Sequence, residues 1–186
     1  MIFEYKRTAK KISMVNTKPN YTGARVTRNR FEVFYIVIHS TGKKRDSRMD
    51  TAKGIADFFA SGNNVHAGIH IIIDRQGIAA LSVPLKYIAY HCGDYRKTFE
   101  TGSGSYYQRC TNSNSIGIEL CGISDRYMSG KQRRKLKKVV KWVQKRFPNA
   151  ETVIRHWDVN GKDCPHMYTG AYNKFWEDLK YYLKCK

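Results

Sequence analysis

Apolar and polar positions along the chain divide it into short strands and three amphipathic helices. Val33 to His39 (VFYIVIH) is a β-branched and aromatic run and predicts a buried strand. Gly68 to Asp74 (GIHIIID) predicts a second strand, and the turn residues Asp74 to Gly77 lead into a third over Ile78 to Val83. Ser115 to Cys121 (SIGIELC) and Thr152 to His156 predict two more. Helical spacing governs Asp50 to Ala60, with Asp50 as N-cap, Ile55, Phe58 and Phe59 inward, and Gly62 near the C-terminus. Leu136, Val139, Val140, Val143 and Phe147 predict a helix over 131–146. Ser129 and Gln132 fit a capping box at its start, and Pro148 ends it. Tyr172 to Leu183 predicts a closing helix with Tyr172, Phe175, Trp176 and Leu179 on one face. Asp94 to Ser113 is rich in Gly, Ser, Thr and Tyr and reads as a long loop. Strands alternate with helices, so the expected class is α/β, a central mixed β-sheet flanked by helices.

Composition narrows this picture. A chain of 186 residues with 41% hydrophobic and 13% aromatic residues is one domain with a real core. No apolar run approaches the about 20 residues of a membrane span. The start, Met1 to Arg7, has no apolar stretch behind its basic residues, so the expectation is a chain made and folded in a cytoplasm. Lys and Arg number 34 against 15 acids, a net charge of +19 that draws the chain to polyanions. Residues 1–30 hold eight Lys or Arg and a single acid, Glu4, with little apolar periodicity. They read as a basic N-terminal extension, and residues 31–186 as the domain proper. The five cysteines are far apart and form no C-x-x-C pair, which favours free thiols or thiolate ligands over a disulfide scaffold.

Candidate chemistry sits where strands end. His39 closes the first core strand, His156 closes a later one, and Cys164 follows eight residues on. Imidazole nitrogen and thiolate sulfur are ligands that zinc accepts, and three of them leave a fourth position open for water. The spacing is not a general zinc motif, because the third ligand lies more than a hundred residues from the other two.

Four motifs in order add to this: Ile38-His39-Ser40-Thr41, Gly68-Ile69-His70, Asn114 to Glu119 (NSIGIE), and His156 to Pro165 (HWDVNGKDCP). Together they resemble the type-2 N-acetylmuramoyl-L-alanine amidases, the zinc family that includes phage endolysins and is related to peptidoglycan recognition proteins. The resemblance covers roughly residues 31–186. It implies Zn²⁺ on His39, His156 and Cys164, and peptidoglycan as substrate, cut at the amide between N-acetylmuramic acid and L-alanine. It implies Glu119 as general base and Lys162 as the cation beside the tetrahedral oxyanion. One branch of the family has Tyr where Ile69 stands and generally lacks the glutamate, so the base role goes to Glu119. His91, in Tyr-His-Cys-Gly, matches a stretch that lines the substrate groove; it is a substrate contact or a solvated loop residue. His70 reads as a buried, hydrogen-bonded histidine rather than a ligand.

The expectation is a peptidoglycan hydrolase of the endolysin kind, monomeric, acting on the bacterial cell wall. Its basic extension would hold anionic wall polymers or a membrane surface. The alternative is a non-catalytic peptidoglycan-binding module, against which Cys164 argues. No helix-turn-helix, RNP-like or zinc-finger pattern supports specific nucleic-acid binding.

Overall fold

The computed structural model describes residues 26–41, 50–61, 67–93, 104–123 and 126–185. Five strands form one sheet: β1 (Tyr35–Ser40), β2 (Ile71–Ile73), β3 (Ala79–Leu81), β4 (Ser115–Leu120) and β5 (Thr152–Arg155). Their order is β3-β2-β4-β1-β5. β2, β4, β1 and β5 are parallel, and β3 returns antiparallel along β2, which makes the sheet mixed. Asp74 shapes that return: its Oδ1 accepts the N–H groups of Gln76 and Ile78, while its Oδ2 accepts the N–H of Ala52.

Side chains alternate across a strand, and this sorts the two faces. Ile36, Ile38, Ile116, Ile118 and Leu120 join Leu136, Val139, Val140 and Val143 of α2 (Gly130–Arg146) in the largest core. Trp176, Leu179 and Leu183 of α4 (Asn173–Leu183) complete it. The other face carries Val37 and His39 from β1, and Ser115, Gly117 and Glu119 from β4. There α1 (Ala52–Ala60) covers Ile69, Ile72, Ala80 and Cys121. Cys92, Cys110, Ile154 and Val159 close over Val37.

Local chemistry moves several expected features. Thr51, not Asp50, caps α1, and its hydroxyl accepts from the Gly54 N–H at 3.0 Å. Ser129 caps α2 as expected, accepting from the Gln132 N–H. The Gln132 side chain does not turn back to complete a box. It is buried and donates to the carbonyls of Ile73 (2.9 Å) and Cys121 (3.0 Å), so its amide N–H groups find acceptors inside the fold. In α4 the inward positions are Trp176, Leu179 and Leu183; Tyr172 and Phe175 are 43% and 39% exposed and stack towards Tyr127. A short helix, α3 (His156–Asn160), takes up His156, the residue at which the sequence pattern ends the fifth strand. Gly62 and residues 94–103 lie outside the described residues, as does 1–25 of the basic extension. Val26 to Arg30 of that extension lie against the domain. Thr27 bridges Tyr87, and the Arg28 guanidinium donates to the carbonyls of Leu85, Tyr87 and Ser115. All five cysteines are free, and among the described residues no helix is long and apolar enough to cross a membrane.

Candidate metal centre

His39 sits at the C-terminal end of β1, on the sheet face away from α2. Its in-register neighbour on β4 is Glu119, so the parallel ladder sets imidazole and carboxylate side by side. His156 opens α3. The Arg155 guanidinium grips the Asp158 carboxylate, the Arg155 N–H donates to the same carboxylate at 2.7 Å, and this fixes the strand-to-helix corner. Gly161, with φ 78°, ends α3 in the left-handed region that favours glycine and turns the chain towards Lys162 and Cys164. One ligand atom each from His39, His156 and Cys164 then lies within 4.8 Å of the others, and all three residues are buried.

Hydrogen bonds orient these groups. The Cys164 Sγ accepts the Ser40 N–H at 3.3 Å and lies 3.9 Å from His39 Nδ1. His39 Nε2 lies 3.0 Å from His91 Nδ1. His91 Nε2 lies 3.2 Å from the Ser115 hydroxyl, which donates to the Thr111 carbonyl. A hydroxyl that donates to a carbonyl accepts from the ring. His91 therefore carries its proton on Nε2, and its Nδ1 accepts from His39 Nε2–H. That leaves His39 Nδ1, the nitrogen facing the sulfur, with its lone pair. The other histidine is tied as well: His156 Nε2 lies 3.1 Å from the Asn160 amide, whose Oδ1 accepts the Lys162 N–H.

Burial, and then the charges of His156, His91 and Lys162, hold the His39 pKa well below the usual imidazole value, which keeps the ring neutral. Burial and the Glu119 charge push the Cys164 thiol up to about 12, against the opposing Ser40 N–H and Lys162. The Glu119 carboxyl is pushed up to about 7 by burial, with Lys162 opposing. Neutral imidazoles and a hydrogen-bonded sulfur form a donor set for a borderline-soft divalent ion. They stand in a groove of about 600 Å³ that also exposes Glu119 and Lys162 and is walled by Ile55, Phe58, Phe59 and Tyr90.

The structure thus brings together His39, His156, Cys164, Glu119 and Lys162. His91 borders the same groove, but both its ring nitrogens face protein partners. His70 is buried, accepts the Gly117 N–H at Nδ1 (3.0 Å) and meets the Tyr87 carbonyl at Nε2 (3.1 Å), away from the ligand cluster. Sequence reasoning missed Asn160, Asn112 and His166. The Asn112 side-chain Oδ1 accepts the N–H groups of His91 and Cys92, both at 2.9 Å, and sets that loop. His166 lies 3.1 Å from the Ser40 hydroxyl and lines the groove. A buried Asn two residues before Lys162, following His at i+4, is the one local signal that could have been read.

Residues 29–167 match the N-acetylmuramoyl-L-alanine amidase family. The chain belongs to this family. The matched span contains all three clustered ligands, Glu119 and Lys162. Among curated amidases, BlyA of Bacillus subtilis (strain 168) is 26% identical over 136 residues, 69% of this chain and 36% of BlyA. CwlA of the same organism is 26% identical over 140 residues, 74% of this chain and 45% of CwlA. The chain therefore spans less than half the length of either relative. Among solved structures, the endolysin N-acetylmuramoyl-L-alanine amidase LysCS from Clostridium intestinale URNW aligns with a TM-score of 0.60 at 20% identity, covering 94% of this chain and 99% of that one. At that identity the likeness concerns the fold: the mixed sheet and flanking helices are those of an amidase.

Proposed function

We propose that this chain is a zinc-dependent N-acetylmuramoyl-L-alanine amidase of the endolysin kind. It hydrolyses the amide between the lactyl group of N-acetylmuramic acid and L-alanine of the stem peptide. The observation that carries the reading is the convergence of His39, His156 and Cys164 at one end of a groove that also holds a carboxylate and a lysine. Zinc on these three ligands would supply hydroxide at neutral pH, by lowering the pKa of bound water from about 15.7 to about 7.

The chain's own groups do the rest. Glu119 takes a proton from the attacking water and delivers it to the departing alanine nitrogen, as a carboxyl with a pKa near the working pH does best. Lys162 stands beside the carbonyl oxygen where negative charge develops. Asn160 joins His156 to the Lys162 backbone, so ligand and cation move as one turn. His91 acts through His39, holding its Nε2–H so that Nδ1 faces the site. The apolar wall of Ile55, Phe58 and Phe59 packs against the substrate and sheds water from it. The basic residues of 1–25 anchor the protein electrostatically to anionic wall polymers or membrane surface.

The test is metal content. The purified chain should carry one equivalent of zinc, and His39→Ala, His156→Ala and Cys164→Ala should each lose metal and activity together. Full occupancy and turnover in the Cys164→Ala protein would remove the sulfur from the ligand set.

A further inference from the structure

The amidase chemistry makes no use of the outer face of α2. That helix of 17 residues holds nine Lys or Arg and no acid. Leu136, Val139, Val140 and Val143 point into the core. At about 100° per residue, Lys131, Arg134, Lys138, Lys141 and Lys145 fall within about 80° of arc on the far side. All five are exposed. Their spacing of three or four residues puts a cation every roughly 4.5–6 Å along roughly 21 Å of straight helix. Among the described residues none of Arg134, Lys138, Lys141 and Lys145 is paired with a carboxylate. Like charges at these spacings repel and weaken an isolated helix, a cost that packing on the sheet must offset.

The row's surroundings choose among polyanions. No large apolar side chain of α2 is exposed, and Trp142 lies under the Arg146 guanidinium at 3.8 Å. A helix seated in a membrane surface buries its apolar face there, whereas α2 turns that face to its own core. The row also offers no aromatic platform on which bases could stack. What remains is a line of point charges for a line of point charges. Because α2 covers the sheet face opposite His39 and Glu119, a polymer held there leaves the groove free.

We propose that this row docks a linear phosphodiester polymer of the bacterial wall, aligned along the helix with its phosphates on successive cations. The choice of a wall polymer rests on the peptidoglycan-amidase reading; the row itself does not.

Binding of the full chain to insoluble walls tests this, using walls that carry their phosphate polymers and the same walls after chemical removal of phosphate. The variant is R134Q/K138Q/K141Q/K145Q, since Gln keeps helix propensity. The control, K53Q/K86Q/K174Q/K184Q, removes the same charge from exposed sites elsewhere. The row variant should bind phosphate-bearing walls at least tenfold more weakly at low salt and lose about 2–3 units from the slope of log K against log salt. The control should lose less than threefold, and on stripped walls all three proteins should bind alike. A double variant, K138Q/K141Q, with an unchanged melting temperature and an intermediate loss guards against misfolding. Equal losses in row variant and control overturn the proposal, as does row-dependent binding that persists on stripped walls. A larger row effect on phosphatidylglycerol vesicles or duplex DNA than on walls assigns the row to another partner and also overturns it. Release of alanine amino groups from a soluble muramoyl peptide, run beside these, should be the same for all variants. Its absence in the unmutated chain would sink the amidase reading while leaving the binding result standing.

Discussion

At the scale of single residues, Glu119 carries the sharpest expectations. Glu119→Gln should keep its zinc and lower turnover by about 10²–10⁴, the usual share of general-base catalysis. Wild-type-like turnover would move the base role elsewhere. The same carboxyl predicts an effect on the metal-free protein. Its pKa in the fold, pushed up to about 7 from 4.5, means the fold binds a proton that the unfolded chain has shed. Stability from this group is present below pH 4.5 and is lost as pH rises through 7. His39 and His70 act in the opposite sense: their pKa values lie well below 6.5, so their contribution fades as pH falls. Metal-free Glu119→Gln should therefore unfold at higher denaturant than metal-free wild type at pH 8, by on the order of 2–3 kcal/mol, and the gap should close by pH 4.5. His91 separates two roles. His91→Ala should weaken zinc binding by about 10–100-fold and shift the visible spectrum of the cobalt-substituted protein, while His91→Asn, which keeps an acceptor near Nδ1, should recover most of both. A purely higher KM with unchanged metal affinity would return His91 to the role of substrate contact. The motif residues were legible because four short motifs stand in a fixed order along the chain. The roles of His91 and Asn160 were not, since each depends on which ring nitrogen a neighbour from another segment faces.

Elements were readable where periodicity was strong and misread where a tertiary partner outbid a local one. Gln132 looked like half of a capping box and instead serves two carbonyls at the sheet end. Phe175 looked inward by spacing and instead meets Tyr127, whose ring centroid is 4.5 Å away. The five-residue α3 is shorter than any window in which a period can be counted. In β4 the element carries a prediction of its own. A Cβ on Gly117 would stand 2.5 Å from Ile69 Cδ1 and 2.8 Å from His91 Cγ, so glycine is what lets the His91 ring lie against the strand. Gly117→Ala should cost about 1–3 kcal/mol by overpacking and weaken zinc binding alongside, because the displaced ring is the one that holds His39. Loss of stability with metal affinity intact would mean that only Ile69 yields.

For the whole molecule, the proposed division between a basic extension and the domain gives a paired truncation. Arg28 ties the start of the described chain to Leu85, Tyr87 and Ser115, whereas the eight basic residues of 1–30 include six before Val26. Removing 1–25 should leave the melting temperature and cleavage of soluble muramoyl peptide nearly unchanged. Adsorption to whole walls should weaken at low salt and converge with wild type near 1 M, where the Debye length is about 3 Å. Removing 1–30 should in addition lower the melting temperature, because it strips a half-buried guanidinium from the carbonyls of Leu85, Tyr87, Asn112, Ser113 and Ser115. Equal melting temperatures for the two truncations would show that Arg28 adds nothing to the fold. The mixed sheet and its helices could be read from β-branched runs alternating with helically spaced apolar positions; the packing of Val26 to Arg30 could not, since basic residues in a chain of net charge +19 look alike until one finds carbonyls.

We propose that water activated by a metal on His39, His156 and Cys164 cuts the bond to L-alanine. This is tested most directly by digesting purified sacculi and identifying the new amino termini, with the native chain, after chelation, and after zinc is restored. The expected products are L-alanine amino groups and peptide-free glycan, both lost on chelation and recovered with about one equivalent of zinc. New reducing sugar ends, amino groups from another residue, or cleavage undiminished by a chelator that has stripped the metal would contradict it.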